Sequence, residues 1–356
     1  MKKVVYSLVL VMLMVGLLVG CAAPAPAPAP IPTPAPAPAP APKPEVVTFK
    51  AVAFLPAKDM DVRGFTIFIN KVNVKFKDYL KIDLLGGPEV TPPFQLHEAV
   101  KSGVIDMCLT SCSYYPSLVW EAQAGMYTNW EISGTPKYPA YFELMSKLHE
   151  NAGLVWLDSA NLNQTFHMFV NKKLDTPWDA AGLKLRVFPA FIPLAEALEA
   201  VPINLPMGDI YTAMQRGTVD GFFMTHFGAV TDFSWQEVTK YVVDYPLYKG
   251  TCYILVNPKS WNKLPANIRK EIIDFKIKEV DPASAQFYGQ ETEQKWTMMT
   301  TLNFVPPYVV RTPIKPIKFS PSDGEAFMKL AYDSAWKYVI AKSPDIGPKL
   351  KELLVK

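Results

Sequence analysis

Hydrophobic positions along this chain switch repeatedly between a period of two and a period near 3.6, and each switch marks an element. VVTFKAVAFLP, beginning at Val46, alternates as a strand, whereas DVRGFTIFINKVNVKFKDYL, residues 61–80, spaces Phe65, Phe68, Ile69, Val72 and Phe76 along one face of a helix. KIDLLGG, residues 81–87, is a second strand ending at glycines; FQLHEAVKSGVIDMCLT, from Phe94, is a helix closed at Gly103 and followed by a strand. This β-α-β-α-β order predicts a mostly parallel sheet with helices on its faces. In AGLKLRVFP, residues 181–189, alternation sends Leu183, Leu185 and Val187 to one face and Lys184, Arg186 and Phe188 to the other. A guanidinium beside an apolar stripe calls for an acidic partner, either a side chain or a ligand.

The pattern repeats. AVKSGVIDMCLT from Ala99 aligns with AMQRGTVDGFFM from Ala213, pairing Gly103 with Gly217 and Asp106 with Asp220. A strand precedes each helix, KIDLL before the first and VPINLP, residues 201–206, before the second. Two copies of one strand-helix-strand unit predict two similar α/β lobes. FHMFVNKKLDTPWDAAGLKLRV crosses from the first lobe to the second; TCYILVNPKSWNKLPANIRKEIIDFKI, from Thr251, is the return crossing, with a long helix beginning near Pro265. SPSDGEAFMKLAYDSAWKYVIAKS, residues 320–343, is a C-terminal helix with a Ser/Asp start. A chain that crosses twice between lobes makes a hinge and a cleft.

Composition adds an address. Residues 1–21 carry Lys2 and Lys3, then an apolar run ending in Leu18-Val19-Gly20-Cys21, the pattern of an export signal. Those last four residues resemble a bacterial lipobox, so Cys21 is the expected lipidation site; an uncleaved membrane anchor is disfavoured because the run is short for a span. Residues 22–44 hold 11 of the 34 prolines at alternate positions. Such a segment is expected to run as an extended stalk of roughly 70 Å at about 3.1 Å per residue. The net charge of +3 includes the two leader lysines, which leaves a nearly neutral body and no signal for nucleic acid.

Cys108, Cys112 and Cys252 are an odd number of further thiols and do not build a disulfide framework; Cys108 and Cys112 are expected to be small buried residues rather than a redox or metal pair. There is no G-x-S-x-G elbow, no H-x-x-x-H or C-x-x-C spacing, no P-loop and no G-x-G-x-x-G, and His97, His149, His167 and His226 lie far apart. The chain is therefore read as a non-enzyme without metal or cofactor.

At this point the residues resemble the DctP-like extracytoplasmic solute receptors of tripartite ATP-independent periplasmic (TRAP) transporters. The resemblance runs from about Val46 to Phe275. AGLKLRVFPAFIPLAEALEAVPINLPMGDIYTAMQRGTVDG, residues 181–221, carries it most specifically, with VNPKSWNKLPANIRKEI, residues 256–272, and VKSGVIDM, residues 100–107, in support. It implies a type II periplasmic-binding-protein-like α/β fold, two lobes joined by a hinge with a long shared helix. It also implies a small organic-acid ligand and, as partners, the small and large membrane subunits of a TRAP permease, with the lipid on Cys21 holding the receptor at the membrane. A receptor for an ATP-driven importer or a sensory system is the alternative. The expected organisation is a signal peptide over 1–21, a Pro/Ala-rich linker over 22–45, lobe 1 over 46–168 completed by about 252–285, lobe 2 over 169–251, and a C-terminal helical region over 286–356 packing on the lobes.

Arg186 matches the family's arginine that pairs bidentately with a ligand carboxylate, a task for a planar two-donor fork; Lys184 is expected to snorkel outward. Two departures matter. Where many relatives carry a second arginine, five residues before an Asn, counting back from Asn171 gives Phe166; where a polar pair commonly follows Val-Asp-Gly, this chain has Phe222, Phe223 and Met224. Mapping other cleft positions gives Phe54, Ser111, Tyr114, Phe188 and Met207, and of Phe222 and Phe223 only one, taken as Phe223, is expected to face the cleft together with Met224. His167 and His226 are candidate polar extras. Apolar surface in place of polar anchors points to a monocarboxylate with an apolar or aromatic body rather than a sugar acid or dicarboxylate.

Overall fold

A computed structural model describes residues 45–129, 134–160, 164–225, 230, 233–301, 304–305, 308–309 and 313–356. Cys21, the leader, residues 22–44 and His226 lie outside the described residues.

Two sheets organise the body. The first has strand order β2-β1-β3-β10-β4, with β1 (Val47–Ala53) parallel to β2 (Leu80–Gly86) and β3 (Met107–Ser111), and β10 (Cys252–Val256) antiparallel to β3 and β4 (Val155–Ser159). In the second, β6 (Lys184–Val187) is parallel to β7 (Val201–Asn204) and β8 (Gly221–Thr225), and β5 (Phe166–Val170) is antiparallel to β8. β9 (Tyr241–Val243) and β13 (Lys315–Ile317) extend that edge, while β11 (Phe304–Val305) and β12 (Tyr308–Val309) form a small separate pair. The runs β2-β1-β3-β10 and β7-β6-β8-β5 have the same order and directions.

The internal repeat extends to hydrogen bonds. Helix α1 (Arg63–Lys75) buries Phe65, Phe68, Ile69 and Val72, as their spacing predicts. Helices α2 (Leu96–Ser102), α3 (Tyr138–Asn151), α4 (Ile192–Ala197) and α5 (Ile210–Gln215) follow. α2 and α5 each end at a left-handed glycine, Gly103 at φ 84° and Gly217 at φ 69°, the conformation that spares a Cβ clash. After each glycine, the aspartate binds the first strand of its own lobe: Asp106 Oδ2 accepts from Lys50 N at 2.8 Å, and Asp220 Oδ2 from Lys184 N at 2.8 Å. Gly and Asp recur at equal spacing because each ties a helix end to a strand.

The crossings run side by side. Ala160 N donates to Cys252 O at 2.9 Å, Gly250 N to Gln164 O at 3.0 Å, and Phe166 N to Tyr248 O at 2.9 Å. After the short α6 (Pro258–Trp261), helix α7 (Ala266–Phe275) runs through a π-helical turn at Lys276–Val280 into α8 (Asp281–Thr300). This is the long shared helix. Phe275 packs edge-on against Phe76 of the first lobe, and Trp296 lies 5.5 Å from the His167 ring on β5. Helix α9 (Pro321–Lys342), capped by Ser320, also spans both lobes: Trp336 Nε1 donates to Tyr127 O at 3.2 Å, and Ala331 O accepts from Tyr248 Oη at 2.6 Å. α10 (Gly347–Leu354) closes the described chain.

The π turn fastens the hinge. Lys276, buried, donates to Ser159 O and to Asp281 Oδ1, both at 2.8 Å, and Ser284 Oγ donates to Ala160 O at 2.7 Å. A Cβ on Gly64 would fall 2.0 Å from Ala160 O, so only glycine lets α1 approach the crossing. Lys276→Met would leave the Asp281 carboxylate buried without its lysine and is expected to cost about 3–5 kcal/mol. Urea denaturation should show a smaller loss for Lys276→Met combined with Asp281→Leu; equal losses would mean that the carboxylate left without its lysine carries no penalty.

Candidate functional site

In sheets of this kind the carboxyl ends of parallel strands leave their side chains at the mouth of a crevice. Here the ends of β1, β3, β6 and β8 and the starts of the antiparallel β5 and β10 meet at one cavity. Phe54, Ser111, Tyr114, Phe166, Arg186, Phe188, Met207 and Met224 all line it. About 460 Å³ of space is left unfilled by atoms there, part of it open to solvent. Only about 40 Å³ of it admits the centre of a water molecule, so the walls lie close together.

Arg186 is 1% exposed. Its Nε donates to Leu205 O at 3.0 Å and Nη1 to Phe223 O at 3.5 Å, and its guanidinium sits 5.4 Å from the centre of the Phe188 ring. Among the described residues no carboxylate comes within 4 Å of it. Two carbonyls use part of a five-donor fork on a residue that lines the cavity, and the Tyr114 hydroxyl bonds to it as well. Burial works against the guanidinium's charge; the Tyr114 hydroxyl and, more weakly, Asp209 favour it. The Tyr114 phenol is in turn pushed up by burial and drawn down by Arg186.

Aromatic rings form the rest of the wall. Phe54 meets Tyr114 edge-on at 5.8 Å, and Phe166, Phe188 and Phe191 form a mutual cluster with centroids 5.1–5.3 Å apart. Phe166 thus contributes a ring, not a charge, to this wall.

One expectation is corrected and one candidate is set aside. Phe223 does not reach the cavity: it is fully buried and stacks on Phe191 at 4.5 Å, while Phe222 stacks on Phe169 at 5.0 Å. Both lie too deep in β8, and the residues that emerge at its end are Met224 and Thr225. His167 does not line the cavity either, because its neighbour Phe166 faces the cavity and alternation turns the imidazole toward Trp296.

The cavity also contains residues that sequence reasoning missed: Asp61, Met126, Gln164, Thr225, Gly250, Thr251 and Cys252. Asp61 is buried, and Gln164 Nε2 donates to its Oδ1 at 3.0 Å. Cys252 could have been found, since β10 was expected to follow the return crossing and Cys252 pairs with Ser111 across the ladder. Asp61 and Gln164 lie in connections, where periodicity says nothing of direction.

The thiols are neither bonded nor poised for chemistry. Cys108, Cys112 and Cys252 are free and buried; burial pushes Cys112 up to about 12 and raises the other two. Among the described residues no group of three His, Cys, Asp or Glu side chains is placed to hold a metal ion, and no helix is long and apolar enough to cross a membrane.

Residues 52–302 match the profile of a family described as bacterial extracellular solute-binding protein, family 7, or DctP. The chain belongs to this family. Among curated relatives, the C4-dicarboxylate-binding periplasmic protein DctP of Rhodobacter capsulatus is 34% identical over 131 residues, 35% of this chain and 38% of that protein. A monocarboxylate 2-oxoacid-binding periplasmic protein of Nostoc sp. is 24% identical over 199 residues, 52% of this chain and 53% of that one. The chain spans about half the length of the curated relatives it matches. A solved TRAP periplasmic solute-binding protein from Desulfovibrio salexigens, with bound orotic acid, superposes with a TM-score of 0.73 at 20% identity, covering 86% of this chain and 97% of that one. The two-lobe periplasmic-binding fold of the DctP family is thereby established for this chain.

With thiolate formation suppressed by burial, Cys108, Cys112 and Cys252 should resist iodoacetamide at pH 8 in the folded protein and react once it is unfolded in urea. Mass spectrometry counts the adducts. Rapid labelling of folded Cys108 and Cys112 would restore the redox or metal reading.

Proposed function

We propose that this DctP-family protein is the extracytoplasmic receptor of a TRAP transporter, and that it captures a monocarboxylate with an apolar or aromatic body in the interlobe cavity. The observation that carries the reading is the buried Arg186, which two carbonyls orient and no neighbouring carboxylate among the described residues neutralises. A planar fork suits a carboxylate. Among the described residues that line the cavity Arg186 is the one cation, and Asp61, on the first-lobe side, would repel a second ligand carboxylate. The rings and methionines favour apolar bulk. Relatives named for binding a C4-dicarboxylate and a monocarboxylate 2-oxoacid, and a structural neighbour holding orotic acid, support an organic acid as the ligand class.

The acid binds the second lobe first, through Arg186; closure then brings Phe54, Ser111 and Tyr114 of the first lobe over it. The closed surface is what the small and large permease subunits distinguish from the empty receptor. A lipid on Cys21 and the proline-rich segment behind it keep the receptor near those subunits and raise its effective concentration there.

A thermal-shift screen of the purified protein against aliphatic and aromatic monocarboxylates, dicarboxylates and amino acids tests this. A ligand at a hundredfold excess over its Kd should add about 2.7 kcal/mol of stability. Arg186→Ala should weaken that ligand by more than about tenfold and leave melting of the empty protein nearly unchanged. If Arg186→Ala lowers the melting temperature of the empty protein while the folded protein binds the ligand unchanged, Arg186 is a structural residue and the reading fails.

A further inference from the structure

The cavity has a second polar pole, opposite in kind to Arg186. Asp61, Gln164, Gly250 and Thr225 form a contiguous patch: Gln164 donates its amide to Asp61, and a Cβ on Gly250 would lie 2.8 Å from Gln164 Oε1 and 3.5 Å from Thr225 Cγ2. Spending its N–H₂ on Asp61 leaves Gln164 presenting its carbonyl oxygen. Thr225 is 2% exposed, and its Oγ1 has no hydrogen-bond partner among the described residues. A buried hydroxyl left unmade costs about 1–3 kcal/mol, so a cavity-lining one is expected to be satisfied by what enters. The patch therefore offers a carboxylate, an amide oxygen and a hydroxyl, where Arg186 offers only N–H groups. Tyr114, lifted first by burial, is lowered by Arg186 and raised by Asp61, so one ring lies within the field of both charges.

We propose that the ligand is an amino or imino acid, its carboxylate on Arg186 and its protonated nitrogen received by Asp61, Gln164 and Thr225. This rests on Arg186 as the carboxylate anchor. An acid without an N–H or O–H donor satisfies the guanidinium and offers nothing to the acceptor patch, and a hydroxy acid offers one donor but no charge; a dicarboxylate meets like charge there; a zwitterion matches both poles and leaves the cavity's charges balanced.

The test uses carboxylates that differ by one ring atom: cyclohexanecarboxylate against piperidine-2-, 3- and 4-carboxylate, titrated calorimetrically into the full-length protein. At least one piperidine isomer should bind about tenfold or more tighter than the carbocycle. Asp61→Asn should erase that preference by weakening the piperidine acid relative to the carbocycle. Thr225→Val, which keeps the shape, should weaken the piperidine acid more than the carbocycle, and it serves as an independent variant if Asp61→Asn fails to fold. Cyclohexanecarboxylate binding as tightly as every piperidine isomer, or both variants leaving the ratio untouched, overturns the zwitterion proposal and leaves the Arg186 reading standing. If neither kind of acid binds and Arg186→Ala changes nothing in the wider screen, the anchor reading itself has failed and this proposal falls with it.

Discussion

A guanidinium almost wholly removed from water, 1% exposed and held by two backbone carbonyls, is the constraint around which this cleft is arranged. Burying an ion is costly unless its charge is matched. The carbonyls of Leu205 and Phe223 supply dipoles and direction but no counter-charge, and the ring of Phe188 adds a modest cation–π contact. Position makes the arrangement possible. Arg186 stands near the carboxyl end of β6, between β7 and β8, so its neighbours on both sides contribute an oxygen from their own strand ends or the loop beyond.

The two halves of the chain achieve the same strand-end geometry by the same local device. A left-handed glycine stops a helix, and the aspartate three residues on ties the returning strand to the first strand of the sheet. Each lobe then borrows its antiparallel strand from the segment that crosses over, β10 for the first and β5 for the second. The crossings are thus structural members of both sheets, so a movement at the hinge displaces strand ends that line the cavity. Lys276, Asp281 and Ser284 hold this junction from the helix that both lobes share.

Much of this was legible before any coordinate. Helical spacing at Phe65, Phe68, Ile69 and Val72 and the Gly-x-x-Asp repeat depend on local stereochemistry, and local stereochemistry is written in sequence order. The position of Arg186 at the cavity was visible because alternation and the family resemblance agreed on it. Phe223 went astray because alternation gives a side but not a depth: it stacks on Phe191 inside the lobe while its strand emerges at the next residue, Met224. Asp61 and Gln164 were invisible for a different reason. They lie in separate connections, 103 positions apart, and meet only because the crossing passes beside the start of α1. No pattern along the chain records that encounter.

The charge arrangement also bears on how an empty receptor differs from a loaded one. On the proposed reading, closing the lobes over an unfilled cleft takes a guanidinium out of water with two carbonyls and the weak field of Asp209 to meet it, and that opposes closure. A carboxylate on the fork removes the opposition, and truncation of such buried charged pairs typically costs about 2–5 kcal/mol. Moving a two-state hinge from one closed molecule in a hundred to ninety-nine requires about 5.5 kcal/mol of differential binding. On the proposed reading, the carboxylate alone falls at or below that threshold, and contacts made only in the closed state, to Phe54, Tyr114 and Asp61 of the first lobe, must supply the remainder. On that reading the anchor governs whether an acid is accepted at all, and the first-lobe groups govern which acid closes the receptor. Selectivity should accordingly reside in the lobe that arrives second, where an acidic side chain sits among aromatic rings.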